Sequence, residues 1–124
     1  MQFLQGTTKT KSQALREAAQ RITRCGLHKG AMWPGAGSGV RYTDGTPCCI
    51  AGAVALALNP YDPRSARNVV QTGFVLAAVD RHLYYSLPDG SPHSAVAWSD
   101  QPDRTADDVI AALIQAAEDV DNGR

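Results

Sequence analysis

The sequence predicts a mainly α-helical protein, a compact single-domain bundle of about four helices around a central apolar helix at about 47–58. Three observations carry that expectation. Residues 46–58, TPCCIAGAVALAL, contain no charge and are apolar around the whole helical circumference, so this segment must be enclosed. Near both ends of the chain, apolar residues recur at helical spacing with polar residues between them. Between Gly26 and Gly45 lie six glycines and Pro34, a composition suited to loop, in which Val40 to Thr43 allows at most a short strand or hairpin near 40–43. A length of 124 residues suits one core, so the domain is taken as 1–124, with 1–11 as a flexible N-terminal segment.

The first helix runs from about Ser12 to Cys25, with Leu15, Ala18, Ala19, Ile22 and Cys25 on one side, and Gly26 supplies its stop. In the following loop Trp33, Pro34 and Tyr42 are expected to pin the chain to the body, since large rings bury much area at little entropic cost. Thr46 is read as the N-cap of the central helix and Pro47 as its first residue; Asn59 before Pro60 ends it. Asp62 and Pro63 repeat that signature ahead of a third helix, whose expected core stripe is Val69, Leu76, Val79 and Leu83, widened by Phe74 and Ala77. LPDG at 87–90 is a turn by its chemistry. Ser91 and Pro92 start a short helical piece through Trp98, although HSAVAW alternates as a strand would. Thr105-x-x-Asp108 caps a last helix carrying Val109, Ile110, Leu113, Ile114, Ala117 and Val120.

Twelve basic and twelve acidic residues balance in total but not in position. The first 41 residues hold seven Lys or Arg against Glu17, and from Asp100 onward seven acids face Arg104 and Arg124. Packing of the first helix on the last would offset the two, and a neutral total lacks the basic excess usual for a nucleic-acid binder. No apolar run approaches the roughly 20 residues of a membrane span, and the N-terminus shows no secretory signal pattern. Three cysteines in such a chain point to reduced thiols in a cytoplasmic setting.

Few residues form a chemical constellation. Cys48 and Cys49 sit where a helix starts, a position at which peptide dipoles favour a thiolate. With His93 as base and Asp100 as its orienter they would compose a cysteine-dependent hydrolase or transferase, against the alternative of inert core thiols. Cys25 and His28 offer only half of a zinc site, and neither GAGSG nor GTTKTKS has the spacing of a phosphate-binding loop, so no metal and no cofactor is expected. Trp98, Asp100, Arg104 and Thr105 precede the last helix as a latch or, with Trp33, as a binding site; a pair between Arg104 and Asp100 is expected there.

The same residues carry a resemblance. The chain is similar to a small family of uncharacterised proteins of actinobacteria and their phages, marked by G-W-x-x-G, C-x-x-G-A and W-N-D-x-x-x-R-T-x-x-x-V. Here Gly26 and Gly30 match the first motif, with Leu27 in place of tryptophan. Cys49, Gly52 and Ala53 match the second, and Trp98, Asp100, Arg104, Thr105 and Val109 the third, with Ser99 in place of asparagine. The resemblance implies a cytoplasmic accessory protein, phage-encoded in some of its settings, and no activity. Its matching positions include Cys49 but not His93.

The expected function is therefore a small, non-enzymatic interaction or regulatory protein that binds another protein, a host factor in host cytoplasm if a phage encodes it. The cysteine enzyme of Cys49 or Cys48, His93 and Asp100 is the first alternative. Nucleic-acid contact through the basic N-terminal helix is the second. The chain is expected as a monomer or homodimer that does not enter membranes.

Overall fold

The computed structural model describes residues 9–87 and 94–124. Among these lie five α-helices and no named strand: α1 Lys11–Cys25, α2 Ile50–Leu58, α3 Ala66–Ser86, α4 Ala95–Ser99 and α5 Ala106–Asp121. The turn expected at 88–90, the helical start expected at Ser91 and Pro92, His93, and residues 1–8 of the expected flexible segment lie outside the described residues.

Helices α1 and α5 behave as their sequences predict. Thr10 caps α1 and Gln13 reaches back to its amide; Gly26, at φ 94°, ends the helix with its N–H on the Ile22 carbonyl. Thr105 and Asp108 close the same reciprocal box on α5. Leu15, Ala18 and Ile22 of α1 are buried, as are Val109, Leu113 and Ala117 of α5. The two helices share the most extensive interface in the fold, and Arg16 Nη2 donates to Asp121 Oδ2 at 2.9 Å across it. The basic beginning of the chain thus lies against its acidic end, which holds the Asp121 carboxyl below its ordinary range.

Helix α2 lies between α1 and α3, with eight of its nine residues buried. It begins three residues later than expected. Cys49 is its N-cap, its sulphur accepting from the Gly52 amide at 3.3 Å. Thr46 instead closes a turn, donating its amide to the Thr43 carbonyl. The sequence signal misled because threonine before proline is a strong cap pattern, whereas a thiol is a weak acceptor that seldom competes.

Helix α3 starts at Ser65, not Asp62, because the Ser65 hydroxyl accepts from the Asn68 amide while Asn59 Oδ1 takes the amides of Tyr61 and Asp62 in a preceding turn. Its expected stripe is misphased. Val79 and Leu83 are buried and Leu76 is half-buried, but Val69, Phe74 and Ala77 face outward. The inner face is opened by Asn68, Gln71 and Thr72. Asn68 earns its burial by donating to the carbonyls of Ala55 and Pro63 at 3.0 and 2.8 Å, joining the end of α2 to the start of α3. The strand expected near 40–43 is absent: Val40 donates its amide back to the Gly35 carbonyl, so this backbone closes a local loop in place of pairing with another chain segment. Residues 95–99 are the short helix α4, deciding the helix-or-strand ambiguity there.

Candidate functional site

Three stretches far apart in sequence meet on one loop. From the start of α2, the Cys48 carbonyl accepts from the His28 amide at 3.0 Å, and the Cys49 amide donates to the Met32 carbonyl at 2.8 Å. Gly52 makes this approach possible, since a Cβ there would lie 3.1 Å from Met32 C and 3.2 Å from Cys48 Cβ and would press on the Met32 oxygen. On the other side of the loop, the Gly30 amide donates to Asp100 Oδ1 at 3.2 Å. Lys29 Nζ donates to the carbonyls of Gln101, Pro102 and Arg104 at 2.5, 3.2 and 2.7 Å. The 100–104 turn is therefore wired through an ammonium to a segment seventy residues earlier.

Trp98 and Arg104 complete this latch. The guanidinium stacks 4.2 Å from the centre of the indole, and Nε donates to the Trp98 carbonyl at 3.1 Å. Arg104 also binds the Gln101 side-chain oxygen and lies 4.0 Å from Asp108 Oδ2. The expected pair with Asp100 does not form, because Asp100 is turned toward the Gly30 amide. Trp33 lies in the core and donates Nε1 to the Val40 carbonyl at 2.7 Å, edge-on to Tyr42, whose hydroxyl receives Arg21. The four candidate binding residues are thus spent on internal contacts. Trp98 Nε1 alone keeps a buried donor without a partner among the described residues.

Both thiols of the 48–49 pair are enclosed. Cys48 is fully buried and Cys49 5% exposed. Burial pushes the Cys48 thiol up to about 12, with the neighbouring Cys49 adding to it. The Cys49 thiol is raised as well, chiefly by burial, against which the amides of Gly52 and Ala51 pull only in part. The helix end does act on Cys49, but desolvation of a thiolate costs more than those amides return. His93 lies outside the described residues. Of the basic residues expected to meet nucleic acid (Lys9, Lys11, Lys29 and those of the first helix), Lys9 is engaged with Glu17 and the Ala57 carbonyl, Arg16 with Asp121, Arg21 with Tyr42, and Lys29 as above.

Two features escaped sequence reasoning. An open groove of about 570 Å³ lies between the C-terminal halves of α3 and α5. In it His82 Nδ1 is 3.2 Å from Asp119 Oδ2 and 3.5 Å from Ser86 Oγ. A nucleophile relay needs carboxylate and hydroxyl on opposite ring nitrogens, so this arrangement, with both on Nδ1, orients the ring without activating the serine. The i,i+4 spacing of His82 and Ser86 is visible in the sequence, but the arrival of Asp119 depends on how α5 packs.

The second is the outward side of α3, a helix of 21 residues, about 31 Å long at 1.5 Å per residue. Among the described residues it packs on α2, α4 and α5, with a smaller contact to α1, along one side. Val69, Val70, Phe74, Tyr84 and Tyr85 remain exposed on the rest, with Phe74 56% and Tyr85 73% accessible. A surface helix normally turns its polar side to water. Misphasing of the predicted stripe is the trace this face leaves in the sequence: more apolar positions than one buried stripe can hold.

A model of DUF6197, a family of unknown function, matches residues 6–119, and the chain belongs to that family. No curated protein and no solved structure matches it significantly. Gly30, Cys49, Gly52, Trp98, Asp100 and Arg104 take part in these contacts, as does Lys29, which lies outside the motifs named above.

Proposed function

We propose that this member of the DUF6197 family is a non-enzymatic protein-binding module that engages its partner through the outward side of α3. The observation that supports the reading is the run of exposed aliphatic and aromatic side chains on that helix, Val69, Val70, Phe74, Tyr84 and Tyr85, on a protein whose other large apolar residues are mostly enclosed. Contiguous exposed apolar patches on the order of several hundred Å² are uncommon on monomeric proteins and often functional. The buried, protonated thiols and the internally engaged polar residues of the latch favour that face over either of them as the binding surface. Three unpaired cysteines favour a reducing, cytoplasmic setting, and the phage resemblance favours a host protein as target. No helix among the described residues is long and apolar enough to cross a membrane.

Incorporating a photo-crosslinking phenylalanine analogue at position 74 in the full chain, inside a bacterial host, tests this. The reading expects one dominant adduct, absent when the analogue replaces exposed Gln20 on α1 and lost when Val70 is changed to Asp. Equal, diffuse labelling from both positions would refute it.

A further inference from the structure

We infer that the partner segment is an acidic amphipathic helix, laid along α3 with its apolar side on Val70, Phe74 and Tyr84 and its carboxylates on Arg67 and Arg81; this rests on the docking face proposed above. Spacing supports the helical part. Val70, Phe74, Ala77, Arg81 and Tyr84 follow one another at steps of four, three, four and three residues, the repeat by which one helix presents a continuous seam to another. Gly73 lies beside that seam in mid-helix, exposed, where a Cβ would meet nothing within 4 Å. No internal contact requires a glycine there, and its absent side chain leaves room for another backbone to come close.

Charge supports the acidic part. Arg67 and Arg81 stand on this side, while the one acid of α3, Asp80, is taken up by the Ala95 amide at 2.6 Å. Along the edge, Arg67, Phe74, Arg81 and Tyr85 alternate guanidinium and ring, and the Arg81 guanidinium lies 5.7 Å from the Tyr85 ring centre. A surface that is apolar and carries two guanidinium groups is complementary to apolar residues interleaved with Asp or Glu. A second copy of this chain fits poorly. Antiparallel α3 helices crossing at Phe74 set Arg67 against Arg81, and parallel ones set each arginine against itself, so both orientations oppose like charges.

Fluorescence anisotropy with the full chain tests the inference. The probes are a labelled 20-residue helical peptide with Leu at heptad a and d positions and Glu elsewhere on its flanks, the same peptide with Lys for Glu, and a labelled oligothymidylate. The acidic peptide should bind at least tenfold more tightly than the lysine peptide and weaken as salt is raised. Arg81→Glu should reduce its affinity at least tenfold, as should Phe74→Glu, whereas Gln20→Glu should leave it unchanged. Phe74-dependent binding of the lysine peptide, or of oligothymidylate in preference to the acidic peptide, would overturn the acidic partner while leaving the face standing as a docking surface. Failure of both peptides to bind in a Phe74-dependent way would overturn both. Sedimentation of the wild type as a dimer that Phe74→Glu disperses would overturn the inference in favour of self-association.

Discussion

Gly52 and Gly73 offer a matched pair of substitutions for which the structure demands opposite signs. Both lie in helices and neither has positive φ. At Gly52 a methyl group would press on the Met32 carbonyl oxygen and lie 3.1 Å from the carbonyl carbon and 3.2 Å from Cys48 Cβ. Two of these three neighbours are backbone, so relief requires the loop to move away from α2 and to stretch the bond from the Cys49 amide to Met32 O. Overpacking of a tight site costs ~1–3 kcal/mol, and a weakened hydrogen bond adds about 1 kcal/mol. The gain in helix propensity from Gly to Ala offsets at most ~1 kcal/mol of that. A net loss of about 1–3 kcal/mol is expected for Gly52→Ala. At Gly73 the same methyl meets nothing, so only the propensity term acts and Gly73→Ala should gain about 0.5–1 kcal/mol. For a chain of 124 residues, about 4 °C in Tm corresponds to 1 kcal/mol. Thermal and urea denaturation of the two variants beside wild type would show Tm lowered in one and raised in the other. A Gly52→Ala protein as stable as wild type would refute the close packing of α2 on the 28–33 loop.

Further outcomes follow from the latch and the thiols. Because burial raises the Cys48 thiol from its ordinary 9.0 to about 12, the folded protein holds a proton that the unfolded chain releases between those values. Stability is therefore retained below about pH 9 and falls as pH rises toward 12, a fall that Cys48→Ala should diminish in urea titrations. Thiol alkylation at neutral pH should label half-buried Cys25 well before Cys48 or Cys49, and equal rates would contradict their enclosure. Arg104→Lys keeps the charge but loses the planar stack and the Nε bond, so it should cost ~1–2 kcal/mol and change tryptophan fluorescence; no change in either would contradict the stacked geometry. Lys29→Met removes three carbonyl contacts at once and should cost about 2–3 kcal/mol, non-additively with Arg104→Lys because both hold the same turn; additivity in a double-mutant cycle would separate them.

Legibility in the sequence followed the physics of each element. The stop of α1 at Gly26 and the start of α5 at Thr105 were readable because stripe and stop, or cap and stripe, agree locally, whereas the box of Thr10 and Gln13 that opens α1 lies just ahead of the start expected at about Ser12. The start of α2 was obscured by Thr46 and Pro47, a local pattern outweighed by contacts from Cys49 to Met32 and from Cys48 to Gly26 and His28. In α3 the error came from equating apolar with inside. Asn68 is buried because two carbonyls await its amide, and Phe74 is exposed because none of the described helices covers it. Trp98 and Arg104 were recognisable as neighbours, but their link to Lys29 and Asp100 to Gly30 joins segments about seventy residues apart, which no local pattern encodes.

The pairing of the first helix with the last has a consequence during synthesis. While α5 is still inside the ribosome, Leu15, Ala18 and Ile22 have emerged without the surface that later encloses them, and Lys29 has no turn to grip. The nascent polypeptide must wait for residues 106–121 before closing, so a stop codon ahead of residue 106 should yield aggregates or chaperone-bound fragments, not a smaller functional product.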